Sequence, residues 1–208
     1  EQSGWSTRML TDGGRVSREP QRAAPMLRRE FDVEKPVERA RAYVTGLGYY
    51  ELYLNGQKVG DRVLDPPYTN NHKRVYYSVN DVTKLLQKGA NCAGAMLGRG
   101  WWRESPRLLA QIEIEYKDGT GAVVTTDDSW RWSRGPLLEN SLYDGEVYDA
   151  RAELTGWDRP GFDDSTWEKA AGVEMPGTTL SAQTIQPIKV VQTLKPKSVA
   201  APQPDIYV

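Results

Sequence analysis

The sequence predicts an all-β protein, an antiparallel β-sandwich or jelly roll with one short helix. Three observations carry this. Apolar residues alternate with polar ones at period two in several segments. Turn-forming clusters recur roughly every 8–12 residues, the spacing of short antiparallel strands. No long amphipathic helices alternate with strands, which excludes a doubly wound sheet or a TIM barrel. The 19 Gly and 13 Pro among 208 residues supply the turns.

Residues 1–24 carry scattered charge and Gly13-Gly14 without a sustained period, and are expected to form an extended lead-in. Met26 to Val33 reads as a strand, ended by the turn Glu34-Lys35-Pro36. Ala40, Ala42 and Val44 alternate with Arg41 and Tyr43. Tyr50, Leu52 and Leu54 alternate with Tyr49, Glu51 and Tyr53, and Asn55-Gly56 then predicts a tight hairpin, because both turn positions need positive φ. Asp65 to His72 is rich in turn formers and predicts a long surface loop. Val75 to Val79 is another strand. Asp81 to Lys88 is the expected helix, capped by Asn80 or Asp81, with Val82, Leu85 and Leu86 on one face and Gly89 to end it. At about two turns it depends on packing.

Gly94 to Leu97 is read as the entry to a second loop, Gly98-Arg99-Gly100-Trp101-Trp102-Arg103-Glu104-Ser105-Pro106. The cleanest strand follows, with Ala110, Ile112, Ile114 and Tyr116 facing one way and Gln111, Glu113 and Glu115 the other. Asp118-Gly119 turns into Ala122 to Thr126, and Trp130 and Trp132 flank Arg131 in strand alternation. Asp144-Gly145 is a turn, and 156–167 is a loop studded with aromatics. Pro176-Gly177 marks a boundary. Ile188 to Leu194 predicts a last strand, and Ile206-Tyr207-Val208 reads as the start of another, as if the chain were cut from a longer one. The expected organisation is a lead-in over 1–24, a sandwich over 25–182, and a linker with the start of a following β-domain over 183–208.

The formal net charge of −1 argues against nucleic acid or an anionic membrane as the main partner. No apolar run approaches the length of a membrane span and no signal peptide is visible, so a soluble chain is expected. One His and one Cys leave no material for a His/Cys zinc site or an internal disulfide, and no Gly-x-Ser-x-Gly elbow accompanies His72. Cys92 lies in an apolar run and is expected to be buried. The aromatics are lopsided, with 11 Tyr and 7 Trp against 2 Phe. Tyr and Trp have an apolar face and a polar edge, which suits half-buried strands and surfaces that touch sugars.

Several segments in order resemble the N-terminal β-domain of bacterial α-L-rhamnosidases, glycoside hydrolase family 78. They are Gly48-Tyr49-Tyr50-Glu51-Leu52-Tyr53-Leu54-Asn55-Gly56-Gln57-Lys58-Val59-Gly60, Leu64-Asp65-Pro66-Pro67-Tyr68-Thr69, Asp81-Val82-Thr83 with Gly89-Ala90-Asn91, and Leu97-Gly98-Arg99-Gly100-Trp101-Trp102. Asp144-Gly145-Glu146-Val147-Tyr148-Asp149-Ala150-Arg151 and Gly156-Trp157 with Phe162-Asp163-Asp164-Ser165-Thr166-Trp167 complete the set. The resemblance implies a galactose-binding-like jelly roll that assists substrate recognition. It places inverting hydrolysis of terminal α-L-rhamnosyl bonds in a separate helical (α/α)6 barrel, for which this chain has no helical region. The implied partners are rhamnosylated carbohydrate and the catalytic domain of the same polypeptide. A periplasmic or secreted parent is expected ahead of a cytoplasmic one.

No catalytic residue is therefore assigned. Trp101 and Trp102 are candidates for a sugar-stacking platform, with Arg103 and Glu104 to bond hydroxyls. Tyr68, Asn70, Asn71 and His72 form a second candidate rim. The competing expectation for both is structural: a plugged sandwich end and a solvated turn. Of the carboxylates Asp144, Glu146 and Asp149, Glu146 and Asp149 stand three apart on a strand pattern and would face opposite ways, which does not suit paired acid and base work; a structural role is expected instead, pairing with Arg151 or facing the catalytic domain. Asp163, Asp164 and Ser165 have oxygen ligands for calcium, which some related rhamnose-binding modules use, but no ligand spacing supports it and no cofactor is assigned. Their expected role is turn formation, and Trp157, Phe162 and Trp167 are expected to pack. The rival to a sugar-recognising domain is a purely structural one packed against the catalytic barrel. A sandwich from another glycosidase family and a free-standing enzyme are weaker rivals, the last disfavoured by the missing catalytic set.

Overall fold

A computed structural model describes residues 8–12 and 23–204, so Gly13-Gly14 and Ile206-Tyr207-Val208 lie outside the described residues. The strands are β1 (Arg8–Thr11), β2 (Pro25–Val33), β3 (Val37–Leu47), β4 (Tyr49–Leu54), β5 (Gln57–Lys58), β6 (Arg74–Asp81), β7 (Gly89–Gly98) and β8 (Arg107–Tyr116). They continue with β9 (Gly121–Thr125), β10 (Arg131–Arg134), β11 (Leu137–Ser141), β12 (Gly145–Tyr148), β13 (Glu168–Lys169), β14 (Ala171–Glu174) and β15 (Thr179–Ala182). One sheet runs β14-β1-β8-β3-β6-β15, with β9 also on β8. A second runs β13-β10-β2-β7-β4-β5, and β11 and β12 form a separate hairpin. All pairings are antiparallel except β15 on β6.

Period-two alternation decides which faces meet. Ala40, Ala42 and Val44 of β3 and Leu108, Ala110, Ile112 and Ile114 of β8 turn inward from one sheet. Leu27 of β2, Leu52 and Leu54 of β4, and Ala93, Ala95 and Leu97 of β7 turn inward from the other. Each fully buried large aliphatic side chain contributes about 1.5–3 kcal/mol by leaving water. Trp130 and Trp132 close the same core. The predicted hairpin forms as β4 and β5, with Asn55 at φ 52° and Gly56 at φ 83°.

The outer faces are covered too. On the seven-stranded sheet Met9, Leu47, Val75, Leu109 and Leu180 form a second cluster, against which Trp102 packs. On the six-stranded sheet lies the loop 156–167. Trp157 rests on Gly94 of β7, where a Cβ would come within 2.7 Å of the indole. Trp157 stacks on Trp167 at 6.4 Å, and Phe162 meets Trp167 edge-on at 5.9 Å. Beneath them is Arg28, 1 % exposed. It donates to the carbonyls of Trp157 (2.8 Å) and Arg159 (3.1 Å), and pairs with Asp164 and with Glu30 (2.5 Å). Desolvation opposes its charge, but bonds to Glu30 and Asp164 outweigh that and hold its pKa above the usual value. Cys92 is buried as expected, and burial pushes its thiol up to about 11.

Four expectations are corrected. The lead-in over 1–24 contains strand β1, seated between β14 and β8, because Met9 and Leu10 each find an apolar layer on opposite faces. The helix over Asp81 to Lys88 is a single 3₁₀ turn, Thr83–Leu85. Asp81 is still paired to Arg41 in the sheet, the Val82 amide bonds the Ala40 carbonyl, and the Gln87 amide bonds Asn91 Oδ1. Neighbours thus take the backbone bonds that a helix would use, and so short a helix has little cooperativity to resist. Gly94 to Leu97 belongs to central strand β7 rather than to a loop, since β2 pairs along one edge and β4 along the other. Ile188 to Leu194 makes no strand. Among the described residues it makes one bridge, Lys189 to Arg62, and Val190, Val191 and Leu194 are exposed.

Candidate functional site

Three connections meet at one place: 65–72, 99–106 and the β11–β12 hairpin. The first is held from within the core. The buried Tyr50 hydroxyl lies 2.6 Å from Ser78 Oγ and 3.1 Å from Asp65 Oδ2, and the Tyr50 amide bonds the Asp65 carbonyl. Burial raises the Asp65 pKa against the opposing pull of Arg62, 3.7 Å away, and of Tyr50. Burial and the neighbouring Asp65 carboxylate push the Tyr50 phenol far up. Beyond the cis Asp65–Pro66 peptide, Asn70 Oδ1 accepts from the His72 amide at 3.2 Å and Asn71 Oδ1 from the Thr69 hydroxyl at 3.1 Å. Those two oxygens shape the loop, an Asx-turn role.

The second connection is tied down when the Arg99 amide donates to Asn140 Oδ1 at 2.9 Å. Gly100 has φ +51°, and a Cβ there would lie 2.9 Å from the Tyr49 ring, so the turn requires glycine on both counts. The tip of the hairpin is closed by Ser141, whose hydroxyl donates to Asp144 Oδ2 (2.9 Å) and accepts from the Asp144 amide (3.1 Å), with Gly145 at φ 82°.

This brings together residues far apart in sequence. Tyr68 meets Trp101 edge-on at 6.1 Å, and Trp101 meets Tyr143 edge-on at 5.5 Å. All three are exposed, at 70 %, 52 % and 81 %. Trp102 faces the other way. Its ring packs on the second cluster, its Nε1–H bonds the Ser105 carbonyl at 3.2 Å, and Arg107 lies over it at 5.4 Å. His72 reaches only the Trp102 ring, at 6.4 Å. Glu104 is held by Arg107, whereas Arg103 is exposed and makes no hydrogen bond or ion pair among the described residues. The two rims predicted from sequence therefore do converge. Trp101 and Tyr68 turn outward there, Trp102 inward, and both asparagine oxygens toward their own loop.

Beside this end, under the β11–β12 hairpin, is a cavity of about 390 Å³. Tyr49, Leu64, Met96, Leu142 and Tyr148 line it, with the polar residues Glu51, Asn140, Ser141 and Glu146. Sequence reading missed Tyr49, Leu142, Tyr143 and Tyr148 as site residues. The available signal was the Asp144-Gly145 turn, which marks a hairpin tip and so places its flanking aromatics in solvent. Glu51 is occupied by Lys58 and by the Tyr53 hydroxyl (2.7 Å). Asp149 caps the turn Ala150–Ala152 and takes Arg151 on both oxygens, at 2.8 and 2.7 Å, as expected. Asp163 accepts from the Ser165 amide at 3.0 Å and Asp164 faces Arg28 and Arg131, so these carboxylates serve the loop and do not fit a calcium site.

The chain matches the model of the α-L-rhamnosidase N-terminal domain over residues 35–192. It is 40% identical over 201 residues to an α-L-rhamnosidase of Streptomyces avermitilis, across 89% of this chain and 19% of that protein. Among solved structures, an α-L-rhamnosidase from Dictyoglumus thermophilum superposes with a TM-score of 0.91 at 39% identity, covering 100% of this chain and 25% of that one. The Streptomyces avermitilis α-L-rhamnosidase complexed with L-rhamnose gives 0.85 at 40% identity, over 89% of this chain and 19% of that one. This chain thus spans only about a fifth to a quarter of the length of these relatives. With the domain model covering most of both sheets, the chain belongs to the α-L-rhamnosidase N-terminal domain family.

Proposed function

We propose that this chain is the non-catalytic accessory domain of an α-L-rhamnosidase and assists recognition of rhamnosylated carbohydrate. The parent polypeptide would hydrolyse terminal α-L-rhamnosyl bonds with inversion in its helical barrel, and this domain would present the sugar. The observation that carries the reading is the exposed trio Tyr68, Trp101 and Tyr143, gathered from three connections. Ring faces that are left in water at such a place suit the C–H faces of a pyranose. Among the described residues Glu104 is held by Arg107 and Asp149 by Arg151, and the one free carboxylate nearby, Glu146, has no free partner beside it, which supports a binding role over a hydrolytic one.

A second reading has its own support. Ile188, Val190, Val191 and Leu194 are exposed along one extended segment, which suits a domain packed against the rest of its polypeptide. The deciding experiment is titration of the 208-residue chain with L-rhamnose, watched by tryptophan fluorescence, alongside Trp101→Ala. A saturable change in the parent chain that is lost in the variant supports recognition. No change in either leaves the structural reading standing.

A further inference from the structure

We propose that the cavity under the β11–β12 hairpin is a second sugar subsite, selective for an uncharged ring over a uronate. The inference rests on the carbohydrate-binding reading above and goes beyond the aromatic trio to a different set of residues. The cavity, about 390 Å³, lies within the roughly 300–1,000 Å³ of small-molecule sites. It adjoins the aromatic end: Tyr49 lines both this cavity and the cleft beside Tyr68 and Trp101. A ligand longer than one ring can therefore cover both.

The lining sets the chemistry. Tyr49 and Tyr148 provide ring faces, and Leu64, Met96 and Leu142 provide aliphatic surface, which suits the apolar C–H face of a sugar. The polar lining is Asn140, Ser141 and the tyrosine hydroxyls, which are neutral, with Glu51 and Glu146 the only charged groups there among the described residues. Glu146 lines the cavity, is exposed, and makes no hydrogen bond or ion pair among the described residues, so it is free to accept from ligand hydroxyls. Glu51 also lines it and is already bound to Lys58 and Tyr53. No Lys, Arg or His among the described residues lines the cavity. A neutral polyol thus meets acceptors for its hydroxyls, while a sugar acid meets an uncompensated carboxylate and no cation.

The test uses the 208-residue chain with labelled methionine methyl groups and tryptophan indoles, read by NMR. Of the four methionines, Met96 alone lines the cavity, and its signal is assigned with Met96→Leu. The Trp101 indole reports the aromatic end separately. Methyl α-L-rhamnoside is expected to shift the Met96 signal saturably, with D-galacturonate needing about tenfold more ligand, as one nearby like charge implies. Glu146→Gln, at an exposed position, is expected to narrow that gap several-fold. A moving Trp101 signal with a silent Met96 overturns the subsite and leaves the first reading intact. Equal response to both sugars, or a gap unchanged by Glu146→Gln, overturns the selectivity. Silence at both reporters overturns both readings.

Discussion

The Trp101 and Tyr143 rings meet edge-on, with centroids 5.5 Å apart and planes at 84°. The contact joins the loop after β7 to the tip of a hairpin some forty residues downstream, and both residues are exposed. Adjacent Trp102 turns into an apolar cluster instead. One dipeptide thus serves both surface and interior.

That division predicts opposite behaviour from two single substitutions. Trp101→Ala is expected to leave thermal stability nearly unchanged and to remove L-rhamnose binding. Trp102→Ala is expected to cost about 3 kcal/mol, the low end for burying an aromatic ring, and to spare binding at Trp101. Denaturant melts and fluorescence titrations on both variants check this.

Arg28 is the peg of the loop 156–167. Arg28→Met leaves Asp164 and Glu30 without their buried cation and frees two carbonyls. A loss of about 1–3 kcal/mol is expected from the unpaired carbonyls and carboxylates, less than for a fully buried pair because Glu30 and Asp164 keep contact with water and Asp164 keeps Arg131. Urea unfolding gives the figure, and protease cutting within 156–167 is expected to quicken at temperatures where the sheets persist.

Tyr50→Phe removes one hydroxyl but leaves Ser78 Oγ and Asp65 Oδ2 in the core without it. The expected cost is about 1–2 kcal/mol, from under-satisfied buried groups rather than lost apolar area. Hydrogen exchange is expected to rise at Asn70 to Arg74, because the anchor of that loop is gone.

Two carboxylates are expected to show opposite pH dependence. Lys35 and Thr120 hold Asp118 well below the usual carboxylate range. Its contribution is present above the unfolded Asp pKa and is lost as pH falls through the lower folded value. Burial raises Asp65, so its contribution is present below the unfolded pKa and is lost as pH rises through the folded one. Melting curves from about pH 2 to 6, bracketing the ordinary Asp value, check both. Asp118→Asn should flatten the acid-side loss, and Asp65→Asn should flatten the fall on the rising side.

Much of the fold was legible because alternation is local. Tyr50, Leu52 and Leu54 show their inward face in six residues, and Asn55-Gly56 shows the turn in two. The helix over Asp81 to Lys88 misled for the same reason. Its cap signal was real, since Asp81 Oδ1 does accept from the Thr83 amide, but the competing backbone partners came from β3 and from Asn91. Trp101, Trp102, Tyr68 and His72 could be singled out as aromatics in turn-rich loops. That Tyr143 would join them could not, because the contact closes over forty residues.

By itself, then, the sequence determined the all-β class, the inward faces of the main strands and the Asn55-Gly56 hairpin. Each depends on residue type and near-neighbour spacing. Only the tertiary structure decided that β1 joins the larger sheet and that Trp102 is partly buried against an apolar cluster while Trp101 is exposed. It alone placed a cavity under the β11–β12 hairpin. These depend on which surfaces meet after the sheets stack, and long-range burial is set by the whole packing rather than by any segment.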